Sequence, residues 1–215
     1  SPRTLPAFVE ALSSQNPAVV DAVTNVLSRG QNYDPADLLP LFSEPRVSKA
    51  RLESILAAQM QRLQPLTLLR VLPDLSRDAR GSVFRLVEKS ADTSIVGEAV
   101  KLAVHTEWWL RLHMAKLLAK VTRPEGAEAV VRLLQDENPS VRLEAVRCLA
   151  ALKSVSAIPA LCQRLRDSDI KVQTAAIAAL VSLNDVSAVP HLIDHLKDEN
   201  EYVRRGAVEV LNQVV

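Results

Sequence analysis

The chain has 215 residues, 48% of them apolar but only 3% aromatic, with 26 basic and 25 acidic side chains giving a formal net charge of +1. Ala, Val and Leu therefore carry the core, as close helix-on-helix packing prefers, and five glycines without a Val/Thr/Tyr alternation argue against sheets. The balanced charge excludes a global drive toward nucleic acid or anionic membrane and leaves room only for a local basic patch.

Helical patterning divides the chain into hairpins near 4–29, 34–59, 64–90, 94–121, 125–152, 156–183 and 187–214. The start, Ser1-Pro2-Arg3, has no secretory apolar core. In the first hairpin Asn16-Pro17 matches Asn138-Pro139 at a separation of 122, two short of four periods of 31, so residues 1–63 read as degenerate repeats. Residues 29–34 are expected to be an irregular loop. Asp34-Pro35-Ala36-Asp37 then suits a helix start, with an Asp cap, Pro at the first helical position and an acid in the first turn.

From residue 64 the period of 31 is regular. Leu110, Val141, Val172 and Val203 form one column, Met114, Ala145, Ala176 and Ala207 a second, and Leu118, Leu149, Leu180 and Leu211 a third. Columns four residues apart share one face of a helix, and Ala115, Val146, Ile177 and Val208 are expected to widen that apolar stripe. The first helices repeat too: Ile158-Pro159-Ala160-Leu161 recurs as Val189-Pro190-His191-Leu192, with Pro where its missing N–H costs least. Cys148 and Cys162 align with Ala179 and Ile193 and read as buried, reduced thiols. No run approaches the roughly 18 uninterrupted apolar residues of a membrane span. The absent initiator Met and the apolar ending Val210, Leu211, Val214, Val215 lead us to expect an excerpt of a longer polypeptide.

The pattern Leu134-x-Asp136-x4-Val141-Arg142-x2-Ala145-Val146-x2-Leu149, recurring from Leu165 to Leu180 and from Leu196 to Leu211, resembles HEAT repeats. The short period is most similar to the bacterial HEAT-like class also found in phycobilisome lyases, and the resemblance covers residues 64–215 clearly and 1–63 weakly. It implies an all-α fold, a right-handed α-solenoid of about seven HEAT-like hairpins formed as one domain over 1–215. An acid and a base recur six apart as Asp74 and Arg80, Asp136 and Arg142, and Asp198 and Arg204, with His105 to Arg111 and Asp167 to Gln173 as imperfect rungs. Such an arginine row could grip carboxylates or phosphates. The preferred reading resembles the family's structural ladder: Asp closes the inter-helix turn and each Arg reaches a neighbouring Asp, most weakly at His105 and Gln173.

Opposite the core stripe, the second helix of the fourth repeat is expected to expose Trp109, His113, Lys116 and Lys120. In register stand Asp78, Ser82, Arg85 and Lys89, then Ser140, Glu144, Arg147 and Ala151, then Tyr202, Gly206 and Glu209. The resemblance puts this face in a concave groove, where Arg85, Trp109, His113, Lys116, Glu144 and Arg147 are the candidate partner contacts. Trp beside Lys and Arg is the composition of a protein-binding hot spot; the alternative is a solvated face. Trp108, in register with Pro139 and Ile170, is expected to pack inward.

His191 and His195 have a spacing that can hold a metal, but their register partners are Ala160 and Arg164 and no third ligand is evident, so no metal site is expected. No nucleophile elbow, phosphate loop or paired-cysteine motif occurs, and no catalytic residue, cofactor or small-molecule substrate is expected. The leading expectation is a non-enzymatic, cytoplasmic interaction module, part of a bacterial multidomain protein, binding an acidic or amphipathic protein segment, without membrane insertion and without nucleic acid. The alternatives are a HEAT-like chromophore lyase or alkylated-base DNA glycosylase, and a structural spacer. A glycosylase needs a strongly basic face, whereas here charge is balanced and the nearest Asp on the stripe, Asp78, lies one repeat before Trp109.

Overall fold

The computed structural model describes residues 5–121 and 123–214. Expectations on Ser1-Pro2-Arg3, on residue 4 of the first hairpin and on Val215 fall outside them. The α-helices are α1 (Leu5–Leu12), α2 (Pro17–Arg29), α3 (Lys49–Ala58), α4 (Pro65–Val71), α5 (Arg77–Ser90), α6 (Val96–Leu102), α7 (Trp108–Val121), α8 (Pro124–Leu133), α9 (Pro139–Ala151), α10 (Ile158–Gln163), α11 (Ile170–Leu183), α12 (Val189–Leu192) and α13 (Glu201–Val214). Among the described residues there is no strand, and no helix is long and apolar enough to cross a membrane. The fold is an all-helical repeat of paired helices.

Local chemistry sets the boundaries. Asn16, Asp34, Asn138 and Asp169 each cap a helix by accepting a backbone N–H from two residues ahead, and Pro17, Pro35 and Pro139 follow as first helical residues. Pro40 changes the second hairpin: its first arm, Pro35–Ser43, is a 3-10 helix rather than an α-helix. A proline at that position removes an i→i−4 donor and crowds the carbonyl four residues back.

Two compact units form, Ser1–Glu98 and Ala99–Val215. In the first, α3 packs against both α2 and α5, and Leu38, Phe42, Leu52, Ile55, Leu56, Leu68 and Leu72 are fully buried. The expected 29–34 loop begins only at Gly30, since Arg29 ends α2, and it is irregular but tied down: the Gln59 amide donates to the carbonyls of Leu27, Ser28 and Gly30 at 2.9, 3.0 and 3.0 Å. In the second, α7, α9, α11 and α13 pack in succession. The Leu110/Val141/Val172/Val203 and Met114/Ala145/Ala176/Ala207 columns are buried throughout.

The widening stripe holds for Ala115, Val146 and Ile177 but fails at Val208, which is 45% exposed. Gly206 corrects a second expectation: it is buried, not on the exposed stripe, because α13 lies so close to α11 that a Cβ there would stand 2.5 Å from the Ile177 side chain. Ser82, expected outside, is buried as well.

The exit of α9 uses a left-handed residue. Lys153 has φ 49° and is followed by Ser154 N–H donating to Leu149 O at 3.1 Å, a Schellman closure. Asn184, 31 residues on, occupies the same region at φ 47° after α11. A lysine Cβ is strained there whereas glycine is not. Lys153→Gly should therefore raise stability by about 1 kcal/mol, seen as a higher urea midpoint at unchanged slope; a lower midpoint would show that the strain is absent.

Candidate functional site

The turns entering α9, α11 and α13 are built alike. Asp136 Oδ1 accepts from Asn138 N at 2.9 Å and Asn138 Oδ1 from Ser140 N at 2.9 Å. Asp167 and Asp169 do the same before α11, and Asp198 and Asn200 before α13. Into each turn the following helix sends one side chain. Arg142 Nη1 donates to the carbonyls of Asp136 and Glu137 at 2.8 and 3.1 Å, while its Nε and Nη2 grip both carboxylate oxygens of Asp167 at 2.9 and 2.7 Å. Arg111 likewise holds the carbonyls of His105 and Thr106 and both oxygens of Asp136. Both pairs are nearly excluded from solvent, with side chains 9% and 2% exposed for Arg142 and Asp167.

Burial alone would raise the Asp167 carboxyl, but the Arg142 pair, the Asp169 N–H and nearby Arg164 outweigh it and hold it below the ordinary carboxylate value. Hydrogen bonding to Asp136 and Asp167 raises Arg111 and Arg142 correspondingly. The remaining expected rungs differ. Gln173 keeps only the backbone half, donating to Asp167 O at 2.6 Å. Asp198 is held by Arg166 instead, and Arg204 donates to the carbonyls of Asp198 and Glu199. In the first unit Arg80 donates to the carbonyls of Leu72 and Pro73, and Asp74 is exposed.

Of the candidate contacts, Arg85 belongs to the first unit and grips Glu53 through Nε and Nη2 at 2.8 and 2.5 Å. The other five lie on α7 and α9. Trp109 is half-buried, its ring stacked on His113 at 3.8 Å between centroids and 23° between planes. His113 Nδ1 stands 2.8 Å from Trp109 O; a carbonyl only accepts, so Nδ1 carries the proton. Lys116 is half-buried, and Arg147 is exposed with Glu144 3.9 Å away. Trp108 is not packed inward but 40% exposed. It is the first residue of its helix, and Ile170, its register partner, is also exposed.

Sequence reasoning missed an open pocket of about 380 Å³ between α9 and α11, lined by Leu143, Arg147, Ile170, Lys171, Thr174, Ala175 and Ala178. The available signal was a loss of side chain in two columns: His113 and Glu144 give way to Ala175, and Lys116 and Arg147 to Ala178. Cys148 and Cys162 are free and buried; burial, then Glu144, pushes the Cys148 thiol up to about 12, and burial pushes Cys162 up to about 11. His195 is buried and His191 exposed. Among the described residues no group of three or more His, Cys, Asp or Glu could hold a metal ion.

A family model described as HEAT repeats matches residues 96–170 and 158–214. Among solved structures, Cex1p is similar with a TM-score of 0.58 at 15% identity, over 98% of this chain and 53% of that one. An engineered protein is similar with a TM-score of 0.54 at 20% identity, over 98% and 68%. A designed armadillo repeat protein in complex with the peptide (KR)4 gives 0.50 at 16% identity, over 98% and 99%. No curated protein matches the chain in sequence.

Exposure sets the expected cost of breaking each rung. Arg142→Ala takes the bidentate partner from a buried carboxylate, leaving it Arg164 at 3.3 Å and the Asp169 N–H, and should cost about 3 kcal/mol, whereas Arg166→Ala, with its guanidinium side chain 48% exposed, should cost about 1 kcal/mol or less. Asp167, lowered in the folded state, contributes stability that is complete above about pH 4 and lost as pH falls through its native value. The stability gap between wild type and Asp167→Asn, measured by denaturant titration, should therefore narrow on acidification. A gap constant from neutral pH to about pH 3 would mean that the charged pair is not its source.

Proposed function

The chain belongs to the HEAT-repeat family, and from that premise we propose that it is a non-catalytic interaction module whose second-helix face on α7 and α9 binds an acidic or amphipathic protein segment. The observation that carries this reading is the Trp109–His113 stack on α7, with half-buried Lys116 on the same helix and exposed Arg147 on α9, which packs against it. Flat aromatic area with cations at its edge suits a partner that brings apolar side chains and carboxylates together. Glu144 tempers the charge without cancelling it, since it stands 3.9 Å from an Arg147 whose own side chain is 64% exposed. Repeat arrays of paired helices serve mainly as scaffolds, in keeping with this reading. Two free buried thiols fit a reducing, cytoplasmic setting.

Arg85 is left out of the proposed face, because the Nε and Nη2 edge of its guanidinium already holds both carboxylate oxygens of Glu53. Trp109 is a poor choice for a clean deletion, because removing a half-buried stacked ring also removes packing. Charge reversal of the two cations tests the face better. An amphipathic peptide alternating Glu and Leu should bind the full chain in fluorescence anisotropy, weaken with added salt, and be lost with Lys116→Glu plus Arg147→Glu at a nearly unchanged melting transition. Its Lys counterpart should not bind. Undiminished binding to the charge-reversed protein would remove this face from the account, and a wild type that binds neither peptide would favour the spacer alternative.

A further inference from the structure

The second-helix face changes character between α9 and α11. Ala175 and Ala178 stand where the preceding repeats carry Glu144 or His113 and Arg147 or Lys116, and the missing side chains open the pocket of about 380 Å³. Its walls are apolar: Leu143 comes from α9, and Ile170, 56% exposed, from the first residue of α11. Two cations stand at it from different helices, exposed Arg147 on α9 and exposed Lys171 on α11. The only hydroxyl in the lining is already engaged, since Thr174 Oγ1 donates to Ile170 O at 2.8 Å and therefore accepts from Tyr202 OH at 2.8 Å. Nothing polar in the lining asks for a hydrogen-bonding group deep in the pocket, while charge at its rim asks for an anion.

We propose that this pocket is an anchor subsite for an acidic peptide segment, taking one large aliphatic or aromatic side chain between Ile170 and Leu143 while flanking carboxylates meet Arg147 and Lys171. The proposal rests on the reading that the second-helix face binds a protein segment, and adds to it where the grip is centred and which side chain it selects. Complementarity of charge favours this occupant over a basic peptide, and the apolar walls favour a side chain over a bare phosphate chain.

The probes are two fluorescein-labelled peptides, Gly-Ser-Glu-Glu-Leu-Glu-Glu-Ser-Gly and the same sequence with Ser in place of Leu, titrated against the full chain at low ionic strength. Burial of the Leu side chain should make the first peptide about tenfold the tighter binder. Ala178→Leu fills the pocket from an exposed helix position and should abolish that preference; Ile170→Ser, at the exposed start of α11, should do the same by removing a wall. Arg147→Glu with Lys171→Glu should weaken both peptides. Equal binding of the two peptides, or a preference that survives both Ala178→Leu and Ile170→Ser, overturns the anchor. So does an equally charged poly-dT oligonucleotide that binds as tightly as the Leu peptide. Equal binding that is still lost with Lys116→Glu plus Arg147→Glu would sink the anchor alone; a wild type that binds neither peptide would sink the wider reading with it.

Discussion

One guanidinium joined to two repeats at once ties successive turns of the second unit together. Arg142 satisfies the carbonyls of the turn its own helix leaves, and with its remaining edge takes both oxygens of Asp167 in the next turn. Orphaned carbonyls and a buried carboxylate are both costly groups, and a planar five-donor fork serves them together where a lysine could not. Arg111 repeats the arrangement with His105, Thr106 and Asp136. The bidentate geometry fixes distance and orientation between successive turns, so the period of 31 becomes a period in space.

A fixed spacing explains the composition of the core. Ala145, Ala176 and Ala207 face inward at every step and are fully buried, which lets second helices approach closely and leaves little room for aromatic rings. The approach is close where Gly206 meets Ile177, whose side chain a Cβ there would meet at 2.5 Å. Where the ladder lapses at Gln173, the packing columns continue unbroken through Val172 and Ala176. Register is thus specified twice, by the polar turns and by the small-residue columns, and one rung can be lost without loss of the repeat.

What was legible in the sequence was whatever recurred. Columns of Leu, Val and Ala repeated in kind because each faces the same neighbour, and Asp34-Pro35 announced a helix start through chemistry contained in four residues. What recurred nowhere was hidden. Pro40 acts once and turns an expected α-helix into a 3-10 helix. Trp108 and Trp109 are adjacent in sequence and so point about 100° apart on a helix, which makes their relative exposure a matter of where the first turn begins. Arg85 with Glu53 and Arg166 with Asp198 are each 32 residues apart, a pairing that only folded helices bring about. The pocket is harder still, because its signal at Ala175 and Ala178 is the absence of side chains that earlier repeats possess.

Within α9 two arginines five residues apart have opposite fates. Arg142 has 9% of its side chain exposed and both edges of its guanidinium occupied, so any incoming anion would have to displace Asp167 from its bidentate grip inside the protein. Arg147 has 64% exposed and stands 3.9 Å from Glu144, itself 16% exposed, too far for the charge-assisted hydrogen bonds that hold Arg142. The same side chain therefore builds the array at one position and remains available at the other. Conserving the inward columns while varying the outward one, which runs Trp109, Ser140, Lys171, Tyr202, lets binding chemistry change from repeat to repeat without disturbing the stack that presents it.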